Sequence, residues 1–130
     1  MAYVPYKHGT LYIPSGNNDD DKHLFFILND ACAEGKHLLV NVTTIYEGVP
    51  FDPACVVEPG EHPFIRHKSS MNYRMARIME AVRITKYVGG WYYKDGEDAS
   101  KELVEKIIAG ALESEFLPKH ILKYLAKLGY

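Results

Sequence analysis

The chain has 130 residues, 47% of them hydrophobic, a formal net charge of −2 and two cysteines. This suits one domain, 1–130, with a core of its own, and excludes a disulfide-stapled miniprotein and a broadly basic nucleic-acid coat. No run of about 18 apolar residues suggests a membrane span, and MAYVPYKHGT lacks the basic-then-apolar pattern of a secretory leader, so a cytoplasmic location is expected, with Cys32 and Cys55 as ordinary buried thiols and a disulfide between them as the alternative.

In chain order, Tyr6 to Ile13 predicts a first strand, with Gly9 as a bulge position. Pro14 to Asp21 is polar and acidic and predicts a loop. HLFFIL, His23 to Leu28, has the length and apolarity of a buried strand. Asn29 to Lys36 is a turn, and HLLVNVTTI, His37 to Ile45, is the next strand. Gly48 to Pro53 is a loop, Ala54 to Val57 a short strand, and Pro59-Gly60 its end. Short strands with turn signals roughly every ten residues predict an all-β barrel or sandwich over 1–95. Met71, Met75, Ile78, Met79 and Val82 recur at helical spacing, so that segment reads as a helical turn or a strand. Gly89-Gly90 breaks the chain, and Trp91 to Tyr93 reads as a last strand.

The segment 98–129 predicts two helices packed on the barrel. Leu103, Val104, Ile107, Ile108, Ala111 and Leu112 form the apolar stripe of the first, capped by Asp98 or Ser100. Pro118 suits the first turn of the second, whose apolar face is Ile121, Leu122, Leu125 and Leu128.

Three places combine polar groups with turns. Glu61 to Ser70 holds His62, Arg66, His67, Lys68, Ser69 and Ser70. Histidine exchanges protons near neutral pH and arginine can grip a phosphate with two parallel hydrogen bonds; a solvated loop explains the same residues. Lys22-His23 precedes a buried strand, where a histidine bonded to backbone is the plainer explanation. Thr43-Thr44 ends a strand, where threonine is common for packing alone. From His62 to Lys86, Arg66, Lys68, Arg74, Arg77, Arg83 and Lys86 stand against one acid, Glu80, with Phe64 and Tyr73 interleaved. Such a stretch fits a single-stranded nucleic-acid surface or an exposed face paired with acids elsewhere. Cys55, His62 and His67 lack the paired spacing of a metal site, so no metal and no cofactor are expected.

The order of these features resembles the PemK/MazF toxins, small SH3-like barrels that cut RNA. The match covers roughly residues 7 to 115, in pattern more than identity. It comprises a glycine-containing first strand and long loop (Gly9 to Asp21), the hydrophobic strand HLFFIL, and LLVNVTT ending in Thr43-Thr44. GVPFDPACVV follows, then a serine-bearing stretch ending in Arg-Ile (Ser69 to Ile78) and a closing helix. Lys22-His23 stands where the family carries Arg-Pro with its catalytic arginine, and the second C-terminal helix is an addition. The resemblance implies a mainly β fold, an SH3-like barrel closed by two α-helices, and the toxin of a toxin–antitoxin pair. It further implies a metal-independent endoribonuclease of single-stranded RNA, a homodimer, and an antitoxin protein as partner. On that reading His23 and His67 transfer protons, Arg66 holds the phosphate, and Thr43 or Thr44 orients. Lys22, His62, Lys68, Ser69, Tyr73, Arg74 and Arg77 would bind RNA. The alternative is a non-enzymatic binding module of the same fold, of phage or mobile-element origin, for a protein or a small ligand.

Overall fold

Two strands in the middle of the chain are apolar on both sides, and the architecture follows from covering both. The computed structural model describes residues 2–15 and 18–130, and the side chains of all of these except 15 and 18–21. Gly16 and Asn17, the centre of the expected acidic loop, lie outside the described residues. The elements are β1 (Thr10–Ser15), β2 (Asn18–Ile27), β3 (Lys36–Thr44), β4 (Val56–Val57), β5 (Ser69–Glu80), α1 (Ala81–Gly89), β6 (Lys94–Asp95), α2 (Lys101–Glu113) and α3 (Lys119–Lys127). The strands form one six-stranded antiparallel sheet in the order β4-β5-β3-β2-β1-β6.

Strand alternation divides the core in two. Leu24, Phe26 and Leu28 of β2 and its end join Leu38, Val40 and Val42 of β3 on a first face, against Leu103, Val104, Ile107 and Ile108 of α2 and Ile121 and Leu125 of α3. Phe25, Ile27 and Leu39 point to the second face, with Leu11 and Ile13 of β1, Ile84 of α1 and Tyr93. Burial on both sides is why HLFFIL and HLLV read as continuous apolar runs.

The sheet is mainly β with C-terminal helices, as expected, but its ladder does not close. β4 and β6 are its edges, each two residues long, too short to pair across a seam. Side chains join the edges instead. His62, in the loop after β4, donates from Nε2 to the Glu97 carbonyl after β6 at 2.7 Å. Its ring packs edge-on against Phe26, and Phe64 packs edge-on against Tyr12, both with centroids 5.5 Å apart.

The segment with an ambiguous period proves to be strand β5, and its irregularity is a bulge. Leu39 faces Arg77 while Asn41 faces Asn72, so five residues of β5 span what two cover on β3. The bend sends Tyr73 and Ala76 into the first core. A third helix, α1, follows, and the last strand lies at Lys94–Asp95 rather than Trp91–Tyr93.

Ser100 caps α2 by accepting from the Leu103 N–H at 3.0 Å, while Asp98 accepts from the Tyr6 hydroxyl. Gly110 lets α2 approach the sheet: a Cβ there would stand 2.7 Å from Cys55 Cβ and closer still to the Tyr73 hydroxyl. Pro118 is the N-cap of α3 rather than a first-turn residue. Both cysteines are free, Cys55 buried and Cys32 half-buried. No helix is long and apolar enough to cross a membrane.

Candidate functional site

The second face changes character along its length. At one end its residues are mainly apolar and packed with Ile84 of α1, with the buried His37 opposite Met79 among them. At the other, paired positions of the two central strands are polar: Asn41 faces Asn72, and Thr43 faces Ser70. Cross-strand partners share a face, and Asn41 also pairs with Phe25 of the second core, so these four side chains lie on that face. His23 joins them on β2, since its partner across β1 is Ile13 of the same core. The Ile45 N–H donates to the Lys68 carbonyl at 3.0 Å, which extends the ladder and puts Lys68 in line with Ser70. Asparagine is poorly suited to a strand interior. Asn41 is 4% exposed, and its Oδ1 has no hydrogen-bond partner among the described residues.

Over this polar end the loop between β3 and β4 arches to leave a cleft of about 320 Å³. Thr43, Thr44, Ser70, Asn72 and Arg74 supply its polar lining, and Tyr46, Phe51 and Phe116 are the exposed aromatics at its rim. The Arg74 guanidinium lies 4.7 Å over the Phe116 ring, and it makes no ion pair among the described residues. Asp52 also lines the cleft, but it is committed to holding the loop: Oδ1 accepts from the Ala54 N–H at 2.9 Å and Oδ2 from the Ser114 hydroxyl at 2.6 Å. Deeper along β5, Arg77 stacks 4.6 Å over Phe25 on the same face.

Of the sequence-predicted residues, Thr43, Thr44 and Arg74 line the cleft, His23 and Arg77 share its face, and Lys68 stands at its end. Lys22 is exposed, opposite Pro14. Arg66 and His67 are exposed in the loop before β5 and do not line the cleft. Three candidates are corrected, because each is spent on the fold. His62 is 2% exposed, with Nε2 bonded to Glu97 and Nδ1 accepting from the Phe64 N–H at 3.1 Å. Tyr73 is buried and donates to the Ile107 carbonyl at 2.6 Å; burial drives its hydroxyl far above the ordinary tyrosine range. Ser69 is buried and donates to the His67 carbonyl at 2.8 Å. Burial also raises the Cys55 thiol, so it is no thiolate nucleophile. Among the described residues no three His, Cys, Asp or Glu side chains gather to hold a metal, so the Cys55, His62 and His67 trio is not assembled.

Asn72, Phe51 and Phe116 line the cleft and the buried Asn41 pairs with Asn72 beside it, but none of them stood out in the sequence. The two asparagines did leave a signal, being polar interruptions in otherwise apolar strands. The arrangement offers hydroxyl and amide hydrogen bonds on the floor, the Arg74 guanidinium, which makes no ion pair among the described residues, and flat apolar rims. It suits a ligand with an anionic group and planar rings. Neither a family model nor a curated protein matches this chain.

Proposed function

We propose that the chain is a PemK/MazF-like toxin that grips single-stranded RNA in the Thr43–Arg74 cleft and cuts it without a metal. The observation that carries this reading is the polar floor beneath exposed aromatics, with Arg74 unpaired among the described residues. Arg74 takes the phosphate role first given to Arg66. His23, on the floor's neighbouring strand, takes the proton of the 2′-hydroxyl. The 2′-oxygen bonds to phosphorus, the bond to the 5′-oxygen breaks, and solvent water protonates that oxygen. Thr43 orients the phosphate. The products are a cyclic phosphate and a 5′-hydroxyl. In this reading the sheet clasped by His62 is an SH3-like barrel left open at one seam. The protein acts as a homodimer, and an antitoxin protein silences it by covering the cleft.

A second reading is a binding module with no catalysis, and one observation favours it: no described histidine lines the cleft itself. One experiment separates the two. Purified protein is incubated with single-stranded RNA in a chelator, and the ends of any fragments are analysed. Fragments with cyclic phosphates, lost in Arg74→Ala and His23→Ala, support the nuclease; losing a positioned base costs about a hundred- to ten-thousand-fold in rate. RNA bound but left intact supports the module, and RNA neither bound nor cut sinks the RNA reading.

A further inference from the structure

Trp91 is the chain's only tryptophan, and it is 90% exposed. Its backbone sits at φ 65°, the left-handed region that bulky residues rarely adopt, although glycines stand at the two preceding positions. An exposed indole on a strained backbone contributes nothing to the core, so packing does not account for it. The turn around it is well fixed. The Trp91 N–H donates to Val88, and those of Tyr92 and Tyr93 both donate to the Tyr87 carbonyl. Tyr92 is half exposed and stacks on Tyr93 with centroids 5.4 Å apart and ring planes 24° apart. The charge near it is mixed, with Asp95, Glu97 and Asp98 following soon after in the chain. Arg83 lies 5.9 Å over the Tyr87 ring, Lys86 and Lys94 are exposed, and Glu80 and Asp95 are the acids at the outer ends of this segment.

The position of this turn matters as much as its chemistry. β6 runs antiparallel to β1 with Lys94 opposite Tyr12, so one step earlier Tyr93 stands beside Ile13, and both belong to the second core. Ile13 is the partner of His23. Trp91 and Tyr92 therefore lead into the strand that edges the second face on the β1 side, while the cleft lies on the β5 side. Arg77 stands on the face along β5, stacked on Phe25.

We infer that Trp91 and Tyr92 are a second stacking platform, holding bases of single-stranded RNA that flank the segment gripped in the cleft. Exposed aromatics with interleaved cations bind single strands irrespective of sequence. The inference rests on the RNA reading above, and its test separates the two. Wild-type protein is titrated with a 2′-O-methylated strand of about 12 nucleotides, which cannot be cut and which suits one compact binding surface. Tryptophan emission and the anisotropy of the labelled strand are followed together. Emission from the single tryptophan falls in step with binding. Trp91→Gly, which suits the left-handed backbone, keeps or raises the melting temperature. It weakens the long strand about tenfold or more and leaves a dinucleotide unaffected, whereas Arg74→Ala weakens both. Binding with unchanged emission and unchanged affinity in Trp91→Gly would overturn the platform and leave the cleft reading standing. No binding by either signal overturns both. Emission that shifts with protein concentration alone, alongside a dimer mass, overturns the platform in favour of a second copy as the occupant.

Discussion

The two faces of this sheet are built from the same strands, yet they have different fates. The first is apolar over most of its length, with polar residues at Thr10 and at the Thr44–Ser69 pair, and is covered by two helices. The second is mainly apolar where α1 lies on it; beyond that it turns polar at Asn41, Thr43, Ser70 and Asn72, with Asn41 buried and the other three lining the cleft. Covering a face completely maximises stability, while leaving polar groups half-satisfied at the end of a rigid sheet preserves a place to bind. The first face should therefore answer mutation in stability and the polar end of the second in binding.

The largest expected effect tests the first face. Ile108→Asp forces an unpartnered carboxylate into the contact between α2 and the sheet, and should cost about 4 kcal/mol or more, enough to unfold a marginal domain. Thermal melting checks it; a melting temperature within a few degrees of wild type would mean that α2 does not bury this stripe. Next comes the clasp between the sheet's edges. His62→Ala leaves the buried end of the Glu97 carbonyl's bond unmade and a gap beside Phe26, and should cost about 2–3 kcal/mol. A cost under 0.5 kcal/mol by denaturant unfolding would show that the edges hold without it.

The opposite sign is expected on the second face. Asn41→Leu removes a buried oxygen that has no partner among the described residues and extends the apolar half toward the cleft, so it should stabilise by about 1 kcal/mol. The same change should weaken RNA binding at the cleft. Stability and binding measured on one variant decide the matter: a loss in both would mean that Asn41 has a structural partner and is no part of an open site.

How much of this could be read beforehand depended on whether the signal was local. The central strands and both C-terminal helices were legible because apolar runs and stripes need no knowledge of their partners. Ser100 and Thr43-Thr44 were legible too, since capping and strand ends are local facts. β5 was not, because its bulge scrambles the period of two and mimics a helical one. The contact between the sheet's open edges depends on residues 35 apart, in the His62–Glu97 bond, which no local pattern encodes. For the same reason His62 looked like chemistry: a histidine between turn residues reads alike whether its ring faces water or clasps a carbonyl. Asn41 and Asn72 could have been found by asking why an apolar strand carries an amide, a question that pattern matching for strands passes over.

The smallest effect concerns the loop that carries His62. Glu61 accepts from the Glu58 N–H at 2.7 Å and pairs with Lys106 of α2 at 3.0 Å. Partial burial alone would raise its carboxyl, but the Glu58 N–H and the Lys106 ammonium outweigh that and hold it below the ordinary carboxylate range. A group whose folded value is depressed contributes stability that is present above its unfolded value and lost as pH falls through the folded one. Glu61→Gln should therefore cost under about 1 kcal/mol at pH 7, as partly exposed pairs do. The difference from wild type should shrink once the pH falls below about 4.3, the unperturbed glutamate value. Because the loop ties α2 to the sheet edge on the first face, the variant should lower melting without altering RNA affinity. Equal destabilisation at acidic and neutral pH would show that the amide disrupts packing and that the charge is irrelevant. A parallel loss of RNA binding would mean that the clasped loop sets the cleft, and that the two faces are less independent than their chemistry suggests.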